Sequence, residues 1–110
     1  CMIDGRVDDE MKVEPLDEKF AAFGFNVARI DGHNMKELND AIEAAIKNHQ
    51  DGGDKPTAII MDTYKGAGVD FMQDNYLWHY GSLDDEKMAA ANKSLDKYLQ
   101  ERIARIEQEA

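Results

Sequence analysis

The chain has 110 residues, 43% of them apolar and 33% charged, with 23 acids against 13 bases for a formal net charge of −10. This is the size of one domain and the composition of a globular rather than a disordered chain, and no apolar run approaches the ~20 residues of a membrane span. The acids divide 13 and 10 between residues 1–55 and 56–110, so a negative field over the whole length argues against nucleic-acid binding, and the single cysteine excludes an internal disulfide and fits a reducing compartment.

The first residue is Cys1 rather than methionine. We read the chain as a piece of something longer, the alternative being a mature lipoprotein that begins at its cysteine; no apolar stretch of signal-peptide type follows. Residues 1–12 are polar and acidic, with Asp4-Gly5 as a turn signal and Met2-Ile3 as the end of a strand. Pro15 suits a first helical position, and Leu16, Phe20 and Phe23 recur at helical spacing up to Gly24, a C-terminal cap. This predicts a helix near 15–23.

A strand follows over residues 25–30, β-branched and aromatic, closed by Asp31-Gly32. Asn34 and Glu37 form a capping-box-like pair. Met35, Leu38, Ile42, Ala45 and Ile46 make the apolar stripe of the next helix, and Asp51-Gly52-Gly53-Asp54 is a loop. The continuous run Thr57-Ala58-Ile59-Ile60-Met61 reads as a strand covered on both faces. Strand, helix and strand with short connections form a βαβ unit, hence two parallel strands with a right-handed crossover. Residues 66–80 are irregular, with Phe71, Tyr76, Trp78 and Tyr80 interleaved among glycines and acids. From Asp84 onward the chain is helical, with Met88, Leu95, Leu99, Ile103 and Ile106 on its apolar face. Parallel sheets are buried on both faces and need more than two strands, so further strands upstream are expected.

Ligands of open α/β sheets bind at the carboxyl ends of the strands, and Tyr64-Lys65-Gly66-Ala67-Gly68 follows the second strand. Its Gly-x-Gly either lets the backbone approach a phosphate or is a plain turn; the dinucleotide fingerprint fails, with no third glycine at the right spacing and no helix behind it. His79, between Trp78 and Tyr80, is either a partly buried histidine suited to proton transfer or an edge histidine packed on a surface aromatic. His33 and His49 read as structural. The acids form no metal box: Asp70, Asp74 and Asn75 miss the calcium-loop spacing, and no Cys/His set has zinc spacing.

The ordered set of motifs resembles the transketolase family. It runs from Ile3-Asp4-Gly5 through Glu14-Pro15-Leu16, Phe23-Gly24-Phe25-Asn26-Val27 and Ile30-Asp31-Gly32-His33. It continues with Lys55-Pro56-Thr57, Thr63-Tyr64-Lys65-Gly66-Ala67-Gly68-Val69 and Phe71-Met72, and ends on Asn75 and Trp78-His79. The match is to the thiamine-diphosphate-binding domain, notably of bacterial members split into two subunits, and covers residues 1–99. The related thiamine enzyme that condenses pyruvate with glyceraldehyde phosphate matches the Trp-His loop less well.

The resemblance implies an α/β fold: a partial doubly wound parallel sheet with the βαβ unit, an active-site loop and a C-terminal helix. Residues 1–110 would form the C-terminal part of that domain. It implies a cytoplasmic enzyme of the pentose phosphate pathway that transfers a two-carbon ketol unit between sugar phosphates with thiamine diphosphate and Mg2+ or another divalent cation. Its partner would be a C-terminal transketolase subunit or domain, in a dimer or heterotetramer, with neither nucleic acid nor membrane involved. The 110 residues alone would be inactive. His79 falls on the family's active-site histidine, Lys65 on a loop position near the cofactor, and Ile3 beside the thiazolium ring. The main-chain carbonyl of Cys1 falls on a metal-ligand position. The family's Gly-Asp-Gly and asparagine ligands lie upstream of the match. Asp31-Gly32-His33 falls on a structural turn, and Tyr80 stands where many members have glycine. The competing reading is a non-catalytic acidic α/β interaction module docking through its C-terminal helix, or an exported lipoprotein beginning at Cys1.

Overall fold

A computed structural model describes residues 4–109; the expected strand end at Met2-Ile3 lies outside the described residues. In chain order the elements are α1 (Val7–Glu10), α2 (Leu16–Ala22), β1 (Asn26–Asp31), α3 (Met35–Gln50), β2 (Thr57–Asp62), a 3-10 turn (Tyr76–His79) and α4 (Asp85–Glu109). They fall into two compact units: Met11–Thr63, and the chain before Met11 together with the chain from Tyr64 on. None of the described helices is long and apolar enough to cross a membrane.

The unit Met11–Thr63 is the expected βαβ arrangement preceded by a short helix. Pro15 takes the N-cap of α2 rather than its first turn, with an extended backbone. Proline has no side-chain acceptor, so Glu14 Oε2 accepts the Leu16 N–H at 2.9 Å instead. Both helices of this unit end in the same way, with glycine in the left-handed region just past the last turn: Gly24 at φ 87° and Gly52 at φ 86°. In each case the next two amides turn back onto the last-turn carbonyls. Gly24 and Phe25 donate to Ala21 and Phe20, and Gly52 and Gly53 to His49 and Asn48, which satisfies carbonyls that a helix end otherwise orphans. At α2 the motif is completed by an edge-to-face contact between the Phe20 and Phe25 rings, 5.3 Å apart.

β1 and β2 pair in parallel, with Asn26 opposite Thr57 and Asp31 opposite Asp62. Gly32 sits where β1 meets the end of β2, donating to the Asp62 carbonyl at 2.8 Å. A Cβ there would lie 2.5 Å from Thr63 Cγ2 and 2.8 Å from Met61 Cβ, so the approach requires glycine. The turn into α3 is built by Asp31, whose Oδ1 accepts the His33 N–H at 2.9 Å. Asn34 caps α3 by accepting from the Lys36 and Glu37 amides, while Glu37 reaches back to the Asn34 amide group and the Asp31 N–H, both at 2.9 Å. The structural reading of Asp31-Gly32-His33 agrees with this geometry.

Arg29 ties the unit together. Its Nε and Nη2 each donate to the Asp62 carboxylate at 2.8 Å, and its Nη1 and Nη2 donate to Glu14 at 2.9 and 3.1 Å. One guanidinium thus clamps β1, β2 and the entry to α2 with two bidentate pairs, the geometry that suits its planar fork. The hydrogen bonds to Asp62 and Glu14 raise the Arg29 pKa, and those from Arg29 hold both carboxyls below their ordinary values.

Burial departs from the sequence expectation at three places. β2 is half-exposed or exposed along its length rather than covered on both faces, because two strands and the described helices do not surround it. In α3, Leu38, Ala41, Ala45 and Asn48 are half-buried, whereas Met35, Ile42 and Ile46 of the expected stripe are exposed. In α4 the packed face is Ala91, Ser94, Tyr98 and Arg102, and the expected Met88, Leu95, Leu99, Ile103 and Ile106 are 40–60% exposed. Small residues at Ala91 and Ser94 allow close approach, and that closeness decides which face is inward. The short helix α1 is an addition to the sequence expectation. The Asp9 and Glu10 amides close onto the Arg6 carbonyl at 3.1 Å, and the Arg6 guanidinium pairs with Asp74.

Gly32→Ala, which meets side chain and backbone, should destabilise by about 1–3 kcal/mol. Gly52→Ala, which meets only open space at positive φ, should cost about 1–2 kcal/mol. Urea unfolding by circular dichroism gives both values, and the larger loss belongs to Gly32. A separate prediction concerns acid. Because Glu14 and Asp62 titrate below their unfolded values, the unfolded chain binds more protons as pH falls from about 4. Their contribution is therefore full above that pH and lost as pH drops through their lowered pKa values. Arg29→Gln should flatten this acid limb of a stability–pH curve, and salt should shrink the difference, since the clamp is solvent-accessible.

Candidate functional site

The chemistry-bearing residues described in the second unit lie between Tyr64 and Tyr80. Residues 64–75 form a run of tight turns: the amides of Ala67, Val69 and Met72 donate to the carbonyls of Tyr64, Gly66 and Val69. Gly66 and Gly68 both have positive φ, 69° and 93°. A Cβ on Gly66 would sit 2.6 Å from the Met72 carbonyl oxygen, and one on Gly68 3.1 Å from Tyr98 Cδ1 and 3.3 Å from Leu95 Cδ2 of α4. The Gly68 N–H is directed at Gln73 Oε1, 3.4 Å away. These glycines therefore serve the folding of the loop and its seating against α4, rather than opening Gly68 to a phosphate.

The loop closes on itself through Lys65. Its carbonyl accepts the Asp74 N–H at 2.8 Å, and its ammonium donates to the Trp78 carbonyl at 2.8 Å. Asn75 caps the 3-10 turn: Oδ1 accepts the Leu77 N–H at 3.1 Å, and Nδ2 donates to the Phe71 carbonyl at 3.4 Å. The Trp78 ring packs on Phe71 with centroids 5.3 Å apart. The segment is thus ordered where the sequence pattern reads as irregular. Its signal is Asn75, an N-cap residue directly before Tyr76-Leu77-Trp78.

His79 is the last residue of the turn and is exposed. Its ring meets the Tyr80 ring edge-on at 5.7 Å. Of the two readings open from the sequence, a partly buried histidine and an edge histidine against a surface aromatic, the surroundings match the second, because the neighbouring Tyr80 is itself exposed. The imidazole is thus presented outward on a backbone that is well anchored behind it. His79 and Lys65 are brought together through the Trp78 peptide. Cys1 and Ile3 lie outside the described residues, so their expected places near a metal and a cofactor ring are not seen. His33 and His49 belong to the helix-entry turn and the last turn of α3. Among the described residues, no group of three or more histidine, cysteine, aspartate or glutamate side chains could hold a metal ion. A concavity of about 210 Å³ between α3 and the strands is lined by Val27, Ala41, Ala45, Thr57 and similar groups; none titrates, so it offers no catalytic chemistry.

A parallel βαβ unit, followed in the chain by a glycine-bent loop that presents a histidine, defines part of an α/β domain. The model of the family described as transketolase, thiamine diphosphate binding domain, matches residues 1–105, and the chain belongs to that family. Among curated proteins it is similar to the 6-deoxy-6-sulfo-D-fructose transketolase subunit SqwG of Clostridium sp. (strain MSTE9), 39% identical over 86% of this chain and 33% of that protein. It is 33% identical to an apulose-4-phosphate transketolase subunit of Actinobacillus succinogenes, over 69% of this chain and 26% of that protein. Transketolase-like protein 2 of Bos taurus is 41% identical over 60% of this chain and 10% of its own length. The chain thus spans a third or less of these three curated relatives.

The loop geometry ranks its glycines. Gly66→Ala combines a left-handed backbone with a collision against a main-chain oxygen, and should cost about 1–3 kcal/mol. Gly81→Ala, whose Cβ would only touch the Trp78 ring at 3.3 Å, should cost less. Unfolding followed by fluorescence of Trp78, the one tryptophan, gives the order.

Proposed function

We propose that this chain is the C-terminal part of the cofactor domain of a transketolase, active only in the complete enzyme. That enzyme transfers a two-carbon ketol unit between sugar phosphates with thiamine diphosphate and a divalent cation such as Mg2+. The observation that carries the reading is the anchored turn that ends in exposed His79, in a chain of the thiamine-diphosphate-binding family.

The residues present fit part of such a group. The exposed imidazole at the end of an ordered turn supplies the proton-exchanging group that a hydroxylated substrate requires. Donors for the cation would come from outside the described residues, the Cys1 carbonyl among them. Ile3 would pack beside the cofactor's ring, and Lys65 would stand on the cofactor side of the loop. When bound, thiamine diphosphate supplies the carbon centre at which the ketol unit is carried. His79 takes or returns a proton at a sugar hydroxyl and orients that hydroxyl by hydrogen bonding. Its exposure suits a group that meets its ligand from an open face.

The partner is a C-terminal transketolase subunit, in a dimer or heterotetramer. Two relatives are named as subunits, which supports this reading. The sulfo and phosphate groups in those relatives' names fit sugars with an anionic end. On this reading the enzyme works in the pentose phosphate pathway of the cytoplasm, consistent with one cysteine among 110 residues.

In the complete enzyme, with the segment upstream of Cys1 and the partner subunit in place, His79→Ala should lower kcat/KM for ketol transfer by about 10²-fold or more. Unchanged turnover in a steady-state assay would remove the role given to His79.

A further inference from the structure

We infer that Lys65 is a positioning residue, which sets the peptide leading into His79 through the bond from its ammonium to the Trp78 carbonyl. The inference rests on the assignment of His79 to the reacting site. The resemblance places Lys65 near the cofactor, but its ammonium is committed to the main chain.

The geometry is that of a strut. Lys65 reaches across 13 residues to Trp78 O at 2.8 Å, in a partly buried contact. Its own carbonyl is held by the Asp74 N–H at 2.8 Å, so the lysine is fixed at both ends and spans residues 74–78. The 3-10 turn kinks at Trp78 (φ −86°, ψ 26°) and ends one residue later. A carbonyl at that point has no helical partner, and a lysine commonly satisfies such groups. Asn75 fixes the start of the turn, and the Phe71 ring holds the Trp78 side chain. Neither holds the Trp78–His79 peptide itself. The His79 ring has an edge contact with exposed Tyr80, so its direction is set from behind by the backbone. A charged donor makes a stronger bond than a neutral one, and lysine's long stem lets it cross the turn. Methionine would keep much of the stem and lose the bond; arginine would keep a donor.

The test uses the complete enzyme, assembled from both subunits, and compares Lys65→Met, Lys65→Arg, His79→Ala and the Lys65→Met/His79→Ala double variant. Three readouts are taken: amide exchange by mass spectrometry, kcat, and thiamine diphosphate affinity by calorimetry. Lys65→Met should speed exchange in residues 76–80 by roughly tenfold and leave residues 91–98 of α4 unchanged, and Lys65→Arg should restore most of the protection. In Lys65→Met kcat should fall while cofactor affinity stays within about twofold, and the double variant should match His79→Ala alone, since coupled residues are not additive. Unchanged exchange in residues 76–80 overturns the inference. So does a loss of cofactor affinity with effects that multiply those of His79→Ala, since Lys65 would then act on the cofactor directly. Full turnover in His79→Ala removes the functional reading instead, and the exchange result still decides whether Lys65 holds the turn.

Discussion

The parallel register of β1 on β2 is the constraint on which the rest of the Met11–Thr63 unit depends. Parallel strands cannot be joined by a hairpin, so the chain must leave β1, cross over as α3 and return. That path requires a sharp turn out of β1 and a clean stop to α3. Asp31, Asn34 and Glu37 build the first with side-chain bonds to backbone amides, and Gly52 makes the second. The register of Asn26 opposite Thr57 also sets Arg29 diagonal to Asp62 on one face, which allows the guanidinium to join both strands and Glu14. It brings the end of β1 so close to the end of β2 that Gly32 has no room for a side chain.

The unit containing residues 64–109 is organised by a different use of space. Gly66 and Gly68 bend the loop, and α4 meets Gly68 closely at Leu95 and Tyr98. The loop then spends its polar groups on itself: Gln73 on Gly68, Asn75 on Leu77 and Phe71, Lys65 on Trp78. Among the groups it leaves outward is the imidazole of His79. Rigid support behind an exposed functional group is the arrangement a reacting site needs, since geometry held by the surrounding shell, and not by the group's own contacts, decides how well a proton donor meets its partner.

Most of the fold is legible in the sequence because its determinants are local. Gly24, Asn34 with Glu37, the β-branched run at 57–61 and the Asp-Gly after β1 each act within a few residues, and the helices and strands lie where those signals put them to within a residue or two. The inward face of α3 is legible in part and that of α4 is not. Apolar periodicity selects Leu38 and Ala45, which are half-buried, together with Ile42, Ile46, Leu95 and Leu99, which are exposed, whereas close approach favours Ala41, Ala91 and Ser94. The site is legible in part. His79 stands out through its aromatic neighbours and the family resemblance, whereas Lys65's hold on Trp78 joins residues 13 apart and leaves no mark in the order of residues. Arg29 is inconspicuous for the same reason, its two carboxylates lying 15 and 33 residues away.

The proposed function assigns the chain an anchored histidine turn within a cofactor site that the rest of the enzyme would complete. The most direct measurement is calorimetric titration of thiamine diphosphate with Mg2+ into the 110-residue chain and, side by side, into the complete enzyme with its partner subunit. Saturable binding by the complete enzyme and none by the chain up to millimolar cofactor is the result predicted. Tight, saturable binding by the 110 residues alone would contradict it.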